Sequence, residues 1–223
     1  MRLAAACTTL AALSFAACTT VVKQVAPAPT PVAAPASSAT LAASIASAAR
    51  RSDHEPDARI RSELAAAARR DAEACIQEEP QAAACLFGRG LALGLEAKEH
   101  PTRAANLLSD MLETLARAEA ADPYYDDAGP ARVQALVLIR APGWPLGPGD
   151  PEHGLAAALR AAALRPAYPP NLLALAEAQS KMGAESDARS SYGRARDTAD
   201  KLPDSADRAD WLRAAEQGLR HTR

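Results

Sequence analysis

The sequence predicts an all-α domain built from tandem pairs of helices, and three features predict it. First, the 223-residue chain is 48% hydrophobic but only 4% aromatic, with alanine carrying much of the apolar count. Alanine has the best helix propensity of any residue. Second, no segment sustains the alternation of polar and apolar β-branched residues that marks a half-buried strand. Third, Glu79-Pro80, Asp122-Pro123 and Arg165-Pro166 each close an Ala/Leu-rich stretch, and each lies 43 residues after the one before. A fixed period in this range is the mark of a stacked repeat protein. Such a chain makes an extended surface rather than a closed catalytic pocket.

The elements follow in order. Pro56 to Glu78 reads as a helix, the second half of a degenerate leading pair. Gln81 to Asp122 holds a pair, with Leu86, Gly90 and Leu93 on its first helix and Ala118 on its second. Gly129 to Arg165 holds the next: Arg132, Val133, Ala135, Leu136 and Leu138, then Leu155, Ala158, Ala161 and Leu164. In the last pair Pro170 and Asn171 open a helix containing Leu172, Leu175, Ala176 and Gln179, and Gly183 ends it. Its second helix carries Ala188, Tyr192 and Ala195. Small residues are needed at Ala176, Ala188 and Ala195 because side-chain bulk there would push the helices apart. Trp211, Leu212, Ala215 and Leu219 lie at helical spacing and give a capping helix near Asp204–Leu219.

The last pair resembles the tetratricopeptide (TPR) repeat, in which paired helices place small residues at close crossings and an aromatic on the second helix. The expected fold is therefore an all-α, TPR-like helix-hairpin solenoid over residues 41–223, of about three to four repeats plus a C-terminal cap. The two upstream pairs exceed the usual repeat of about 34 residues. Their excess falls between paired helices, at Glu99-His100-Pro101-Thr102 and at Ala141 to Pro151.

The amino terminus reads as an address. Residues 1–17 carry Arg2 and then an uncharged run from Leu3 to Ala17, the pattern of an export signal and too short for a membrane span. Phe15-Ala16-Ala17-Cys18 resembles a bacterial lipobox, so Cys18 is expected to carry lipid, with secretion after cleavage elsewhere as the alternative. Phe stands where Leu is usual. Thr19, rather than Asp, resembles sorting to the outer membrane of a Gram-negative bacterium. The expected place is the periplasmic side of that membrane. Residues 18–40 are rich in Ala, Val, Thr and Ser with Pro27, Pro29, Pro31 and Pro35, the composition of a semi-rigid tether.

Composition also excludes classes. Net charge is −2, and Lys and Arg are dispersed with no basic stripe or interleaved aromatics, so nucleic acid is not an expected partner. There is no Gly-x-Ser-x-Gly elbow, no His-Glu-x-x-His and no phosphate loop. His54, His100, His153 and His221 are far apart. No catalytic residues, cofactor or metal are expected. Cys75 and Cys85 lie ten residues apart around the Pro80 break, in the last and first turns of two successive helices. Antiparallel helices would bring them within disulfide range; two reduced core residues are the alternative, and without a nearby His they do not make a zinc site.

Candidate contact residues stand out against this apolar background. Trp144 lies in the Ala141–Pro151 loop among prolines and glycines, as an interface anchor or folded back over its helix pair. Tyr124 and Tyr125 precede Asp126 and Asp127, as a partner surface or as filling between repeats. Arg132 lies on an apolar helix, where a charge is costly unless paired. Either Asp126, Asp127 or Asp150 pairs it, or it meets an anionic ligand.

The string from Asp122 through Tyr124-Tyr125-Asp126-Asp127-Ala128-Gly129-Pro130-Ala131-Arg132, leading into Ala141-Pro142-Gly143-Trp144-Pro145 and Gly149-Asp150, resembles the TPR-like T component of tripartite ATP-independent periplasmic (TRAP) transporters and related TPR lipoproteins. That resemblance covers about 57–200 and is most specific over 122–183. It departs at Ala135, where relatives often have Gly, and at Leu138, where an aromatic is common. It implies a lipid-anchored scaffold that binds a periplasmic partner, the solute receptor of such a system, with Tyr124, Tyr125, Arg132, Trp144, Asp150 and Asn171 as contact candidates. It also implies an alternative: a small hydrophobic or anionic ligand held in an inter-helix groove or pore. Some relatives form oligomers, so a homo-oligomer is among the implied states. An enzyme is not expected.

Overall fold

In the computed structural model of the protein, residues 37–222 are described. Among them nine α-helices run in order: α1 Ser38–His54, α2 Ala58–Glu78, α3 Ala83–Glu99, α4 Ala104–Ala121, α5 Tyr125–Arg140, α6 Pro151–Leu164, α7 Pro169–Lys181, α8 Glu185–Ala199 and α9 Ala206–His221. A single 3-10 turn, Pro101–Arg103, joins α3 to α4. No strand is present among the described residues, only an isolated bridge between Gly143 and Gly149. The export signal, Cys18 and most of the tether range lie outside the described residues. Helix α1 begins at Ser38, so the last residues of the range read as tether are helical.

The period in the sequence is a helix-stop period. Helices α2, α4 and α6 end at Glu78, Ala121 and Leu164, each two residues before its proline. The intervening Glu79, Asp122 and Arg165 leave the helical region, at φ −136°, −153° and −136°. A proline ring excludes α geometry from the residue before it, so the dipeptide dictates the stop. Helix α7 ends differently. Gly183 adopts φ 75°, and the amide of Ala184 reaches back to the carbonyl of Gln179 at 2.9 Å. A left-handed glycine closing the last turn in this way suits a residue with no Cβ.

Starts are also written locally. Ser37, Asp57, Asp150 and Ser205 cap α1, α2, α6 and α9 by accepting an amide from the first turn of each. Pro151 and Pro169 occupy first-turn positions, where no amide is needed.

Packing follows the pairs α1/α2, α3/α4, α5/α6 and α7/α8, with α9 against α8 and α7. The odd-numbered helices also touch one another: α1 meets α3, α3 meets α5, α5 meets α7, and α7 meets α9. Small residues set the close approaches. A Cβ on Gly88 would lie 2.9 Å from Ile45 of α1, one on Gly90 2.8 Å from Leu115 of α4, and one on Gly154 2.6 Å from Ile139 of α5. Ala176, Ala188 and Ala195 are buried, as their spacing predicts. The core is a chain of small clusters between neighbouring helices rather than one central mass.

Cys75 and Cys85 form a disulfide, with Cα atoms 5.2 Å apart, tying the end of α2 to the start of α3. Leu41 of α1 packs on the pair. The bridge joins two helices and packs against a third, α1, which the sequence reading left without an assigned helix.

Candidate functional site

The Tyr124–Gly129 segment folds into an uncommon turn. Asp126, Asp127 and Ala128 take φ values of 49°, 53° and 63°. Left-handed geometry crowds the Cβ of an L-residue, and it is normally met singly and at glycine. Three such residues in succession persist only where the surroundings over-determine them. Arg132 supplies much of that constraint. Its Nη1 donates to the carbonyls of Asp126 at 3.1 Å and Asp127 at 3.2 Å, and its Nη2 donates to the Asp126 carboxylate at 2.6 Å. Asn171 adds the rest: its Nδ2 donates to the Asp127 carbonyl at 2.9 Å and the Ala161 carbonyl at 3.0 Å. A Cβ on Gly129 would strike the Asp126 carboxylate at 2.7 Å, so glycine is required where the chain turns back into the right-handed helix.

Arg132 and Asn171 also bond each other, Nη1 donating to Oδ1 at 3.1 Å. The Arg132 side chain is only 11% exposed, and its fork is occupied by four acceptors within the chain. Of the three partners named from sequence, Asp126 pairs its charge and Asp127 contributes a carbonyl; Asp150 does not reach it. The guanidinium lies over the Tyr168 ring, 5.2 Å from the centroid. Burial pushes the Tyr168 phenol above its ordinary value. Asn171 is fully buried and is the third residue of α7 rather than its opener, since that helix starts at Pro169.

The two adjacent tyrosines separate. Tyr125 turns inward, edge-on to Phe87 with ring centroids 5.5 Å apart. Burial, and then the neighbouring Asp126 charge, raise its phenol. Tyr124 stays half-exposed beneath the Arg165 guanidinium, 4.8 Å from its centroid. Filling between repeats therefore describes Tyr125, and an accessible surface describes Tyr124.

Trp144 does not fold back over its helix pair. It is 91% exposed, and Leu146 beside it is 76% exposed. The loop beneath them is nonetheless held: the amide of Gly149 donates to Pro142 at 2.8 Å, Leu146 to Gly143 at 3.0 Å, and Asp150 to the Leu138 carbonyl at 2.8 Å. Asp150 has a structural task. Its carboxylate accepts the His153 amide at 3.1 Å and contacts the His153 ring at 2.7 Å. These bonds, the backbone one first, hold its carboxyl below the usual aspartate range.

Three cavities open along the odd-numbered helices, two of them shared with α4 or α8. A central cleft of about 740 Å³ lies between α1, α3, α5 and α9, with Arg50, Phe87, Arg132, Tyr168 and Trp211 on its walls. His54 of α1 and Asp210 of α9 approach to 3.8 Å across it. Toward the far end of α5 an apolar pocket of about 460 Å³ opens beside Leu91, Leu108, Met111 and Val137, with Lys98 and Arg140 on its rim. A third cavity of about 600 Å³ lies between α5, α7, α8 and α9. Val133 borders the first two, and Arg132 the first and third. Arg140 borders the second and third, where it forms a two-pronged pair with Glu177 at 2.7 and 2.6 Å. That hydrogen bond is the main cause holding its guanidinium above the ordinary value.

No family model matches the chain, and no curated protein matches it. What the site can hold is thus argued from its geometry. No cluster of three or more metal-ligating side chains occurs among the described residues. Sequence reasoning missed Tyr168, Trp211, Arg140 and the whole α1 wall. Tyr168 carried a signal, since it immediately precedes the two prolines that open α7. Arg140 gave none, because its partner lies 37 residues away on another helix.

Proposed function

We propose that this chain is a lipid-anchored, TPR-like scaffold whose concave cleft holds a periplasmic protein partner, the solute receptor of a TRAP-type transport system. The observation that carries the reading is the cleft lined jointly by α1, α3, α5 and α9. A solenoid that turns one helix of each pair inward presents such a surface, and partner binding is its common use. The cleft suits a polypeptide better than a small polar metabolite. Its walls mix the aromatic Phe87 and Trp211 with charges of both signs, Arg50 and Arg51 against Asp207 and Asp210. Aromatic anchors with a charged rim are the composition of protein interfaces.

The Asp122–Asp150 string supports the narrower transport reading by resemblance, although its signature residues have structural tasks here. Arg132 braces a turn and Asp150 caps a helix. The partner-contacting residues are then those left accessible: Arg50, Arg51 and Trp211 around the cleft, and Tyr124 outside it beside Arg165. A second reading, a small apolar ligand with an anionic head, is favoured by the pocket beside Leu91, Leu108 and Met111 with Lys98 and Arg140 at its edge.

Site-specific photocrosslinking tests the first reading. A crosslinker at Arg50, inside the cleft, should capture a solute-binding protein in intact cells, whereas one at exposed Glu113 on α4 should not. Equal capture from both positions would sink it. Native mass spectrometry of the purified chain tests the second, which predicts a co-purifying organic acid or lipid.

A further inference from the structure

The Pro142–Leu146 face serves neither the cleft reading nor the core. Pro142, Gly143, Trp144, Pro145 and Leu146 are all exposed, and no charged residue occurs from Ala141 to Gly149. The loop also withholds most of its polar backbone. The amides of Leu146, Gly147, Gly149 and Asp150 are all spent on carbonyls of the loop or of Leu138, and Pro142, Pro145 and Pro148 have none. What remains outward is a ridge of apolar side chains whose one polar side-chain group is the indole N–H, with the amides of Gly143 and Trp144 beside it.

We propose that this ridge seats in the interfacial layer of a lipid bilayer. A protein interface carries about one hydrogen bond per 100–200 Å² and a charged or polar rim, and this face has no charged side chain and one polar side-chain group. The headgroup–acyl boundary asks for the opposite: apolar bulk with a wet edge, the place where tryptophan concentrates. Internally satisfied amides lower the cost of leaving water. The proposal rests on the anchor reading for proximity. Residues 19–36 lie between Cys18 and the first described residue, and at about 3.1 Å per residue they reach roughly 55 Å. A helix the length of α5 spans about 24 Å. The ridge is thus within reach of an acylated Cys18 from either end of the helices. Lipid at Cys18 holds the chain at the surface, and the Trp144 ridge gives it a second contact that sets which face looks outward.

The test uses the full chain extracted from membranes and reconstituted into phosphatidylethanolamine/phosphatidylglycerol vesicles. Trp211→Phe leaves Trp144 as the sole tryptophan. Lipid brominated near the headgroup should cut its emission about twofold relative to unbrominated vesicles, with a blue shift. The companion Trp144→Phe chain, reporting from Trp211, should show no change. Unaltered Trp144 emission in brominated vesicles overturns the proposal. Emission insensitive to bromine but shielded from a soluble quencher overturns it in favour of a protein contact. Intact mass reads acylation separately. An acylated chain without quenching sinks the ridge and spares the anchor; quenching without an acyl mass supports the ridge and sinks the anchor.

Discussion

Arg132 and Asn171 show how a polar pair is kept inside an alanine-rich molecule. Each is surrounded by backbone carbonyls and a polar side chain, and no buried side-chain polar atom is left without a partner among the described residues. Removing Asn171 would take one of two donors from the Asp127 carbonyl, one of two from the Ala161 carbonyl, and one acceptor from Arg132. Asn171→Ala should therefore destabilise the fold by about 1–2 kcal/mol, through the lost hydrogen bonds of a buried amide whose partners each keep another contact. Equilibrium urea unfolding reads this directly. Arg132→Lys tests the fork itself. A single ammonium cannot serve two carbonyls, a carboxylate and an amide together, so the conservative change should cost about 1–2 kcal/mol. A lysine variant as stable as the parent would mean that the left-handed turn at Asp126–Ala128 holds itself.

At the scale of the element, crossings and caps carry the specificity. Gly154 on α6 faces Ile139, Leu138 and the Ala135 carbonyl, with no room for a methyl group. Gly154→Ala gains helix propensity yet should lose about 1–3 kcal/mol through overpacking, measurable as a lowered urea midpoint. The α6 cap adds a pH dependence. The Asp150 carboxyl is held low by the His153 amide and then by the His153 ring. A depressed folded value means the stabilisation is complete above the unfolded aspartate pKa of about 3.9 and fades as pH falls through the lower folded value. Asp150→Asn keeps the amide acceptor without the charge. Its stability gap to the parent should be present at about pH 5 and close below pH 4, as urea midpoints at each pH would show.

Much of this level was legible in the sequence. Proline fixes its predecessor's backbone, so Pro80, Pro123 and Pro166 announced three helix ends. The Cys75/Cys85 spacing around one of those breaks announced a pairing that the structure contains. Helix α1 was passed over because its Ala/Ser sequence merges with the proline-rich stretch before it. The left-handed turn was invisible because Asp-Asp-Ala carries no glycine to signal it. Partners of Arg140 and Tyr168 are set by which helices meet, which no local pattern encodes.

For the molecule as a whole, a stack of helix pairs without a central core is only as stable as the cover on its last face. Helix α9 supplies that cover. Its Ala215 packs with Leu172 of α7 and Ala195 of α8, and Trp211 stands edge-on to Tyr168 at 5.7 Å. It also finishes the polar end of its neighbour: Arg208 donates to the carbonyls of Ala199 at 3.0 Å and Asp200 at 3.2 Å, the last of α8. In return, Arg189 of α8 donates to Leu219 and Thr222 at the end of α9. Ending the chain after Lys201 would uncover Leu172, Leu173 and Tyr168 together and leave the α8 carbonyls to water. Burial of two leucines and a half-buried ring is worth about 3–5 kcal/mol, so the shortened chain should unfold at a markedly lower urea concentration and bind an apolar dye in its native baseline. The α1–α4 half, tied by the disulfide and four helices away, should keep its amide-exchange protection, because, the His54–Asp210 approach aside, each pair packs only on its neighbours. Uniform loss of protection across α1 to α8 would show instead that the stack behaves as one cooperative block, with the contact of His54 and Asp210 across the cleft joining its ends.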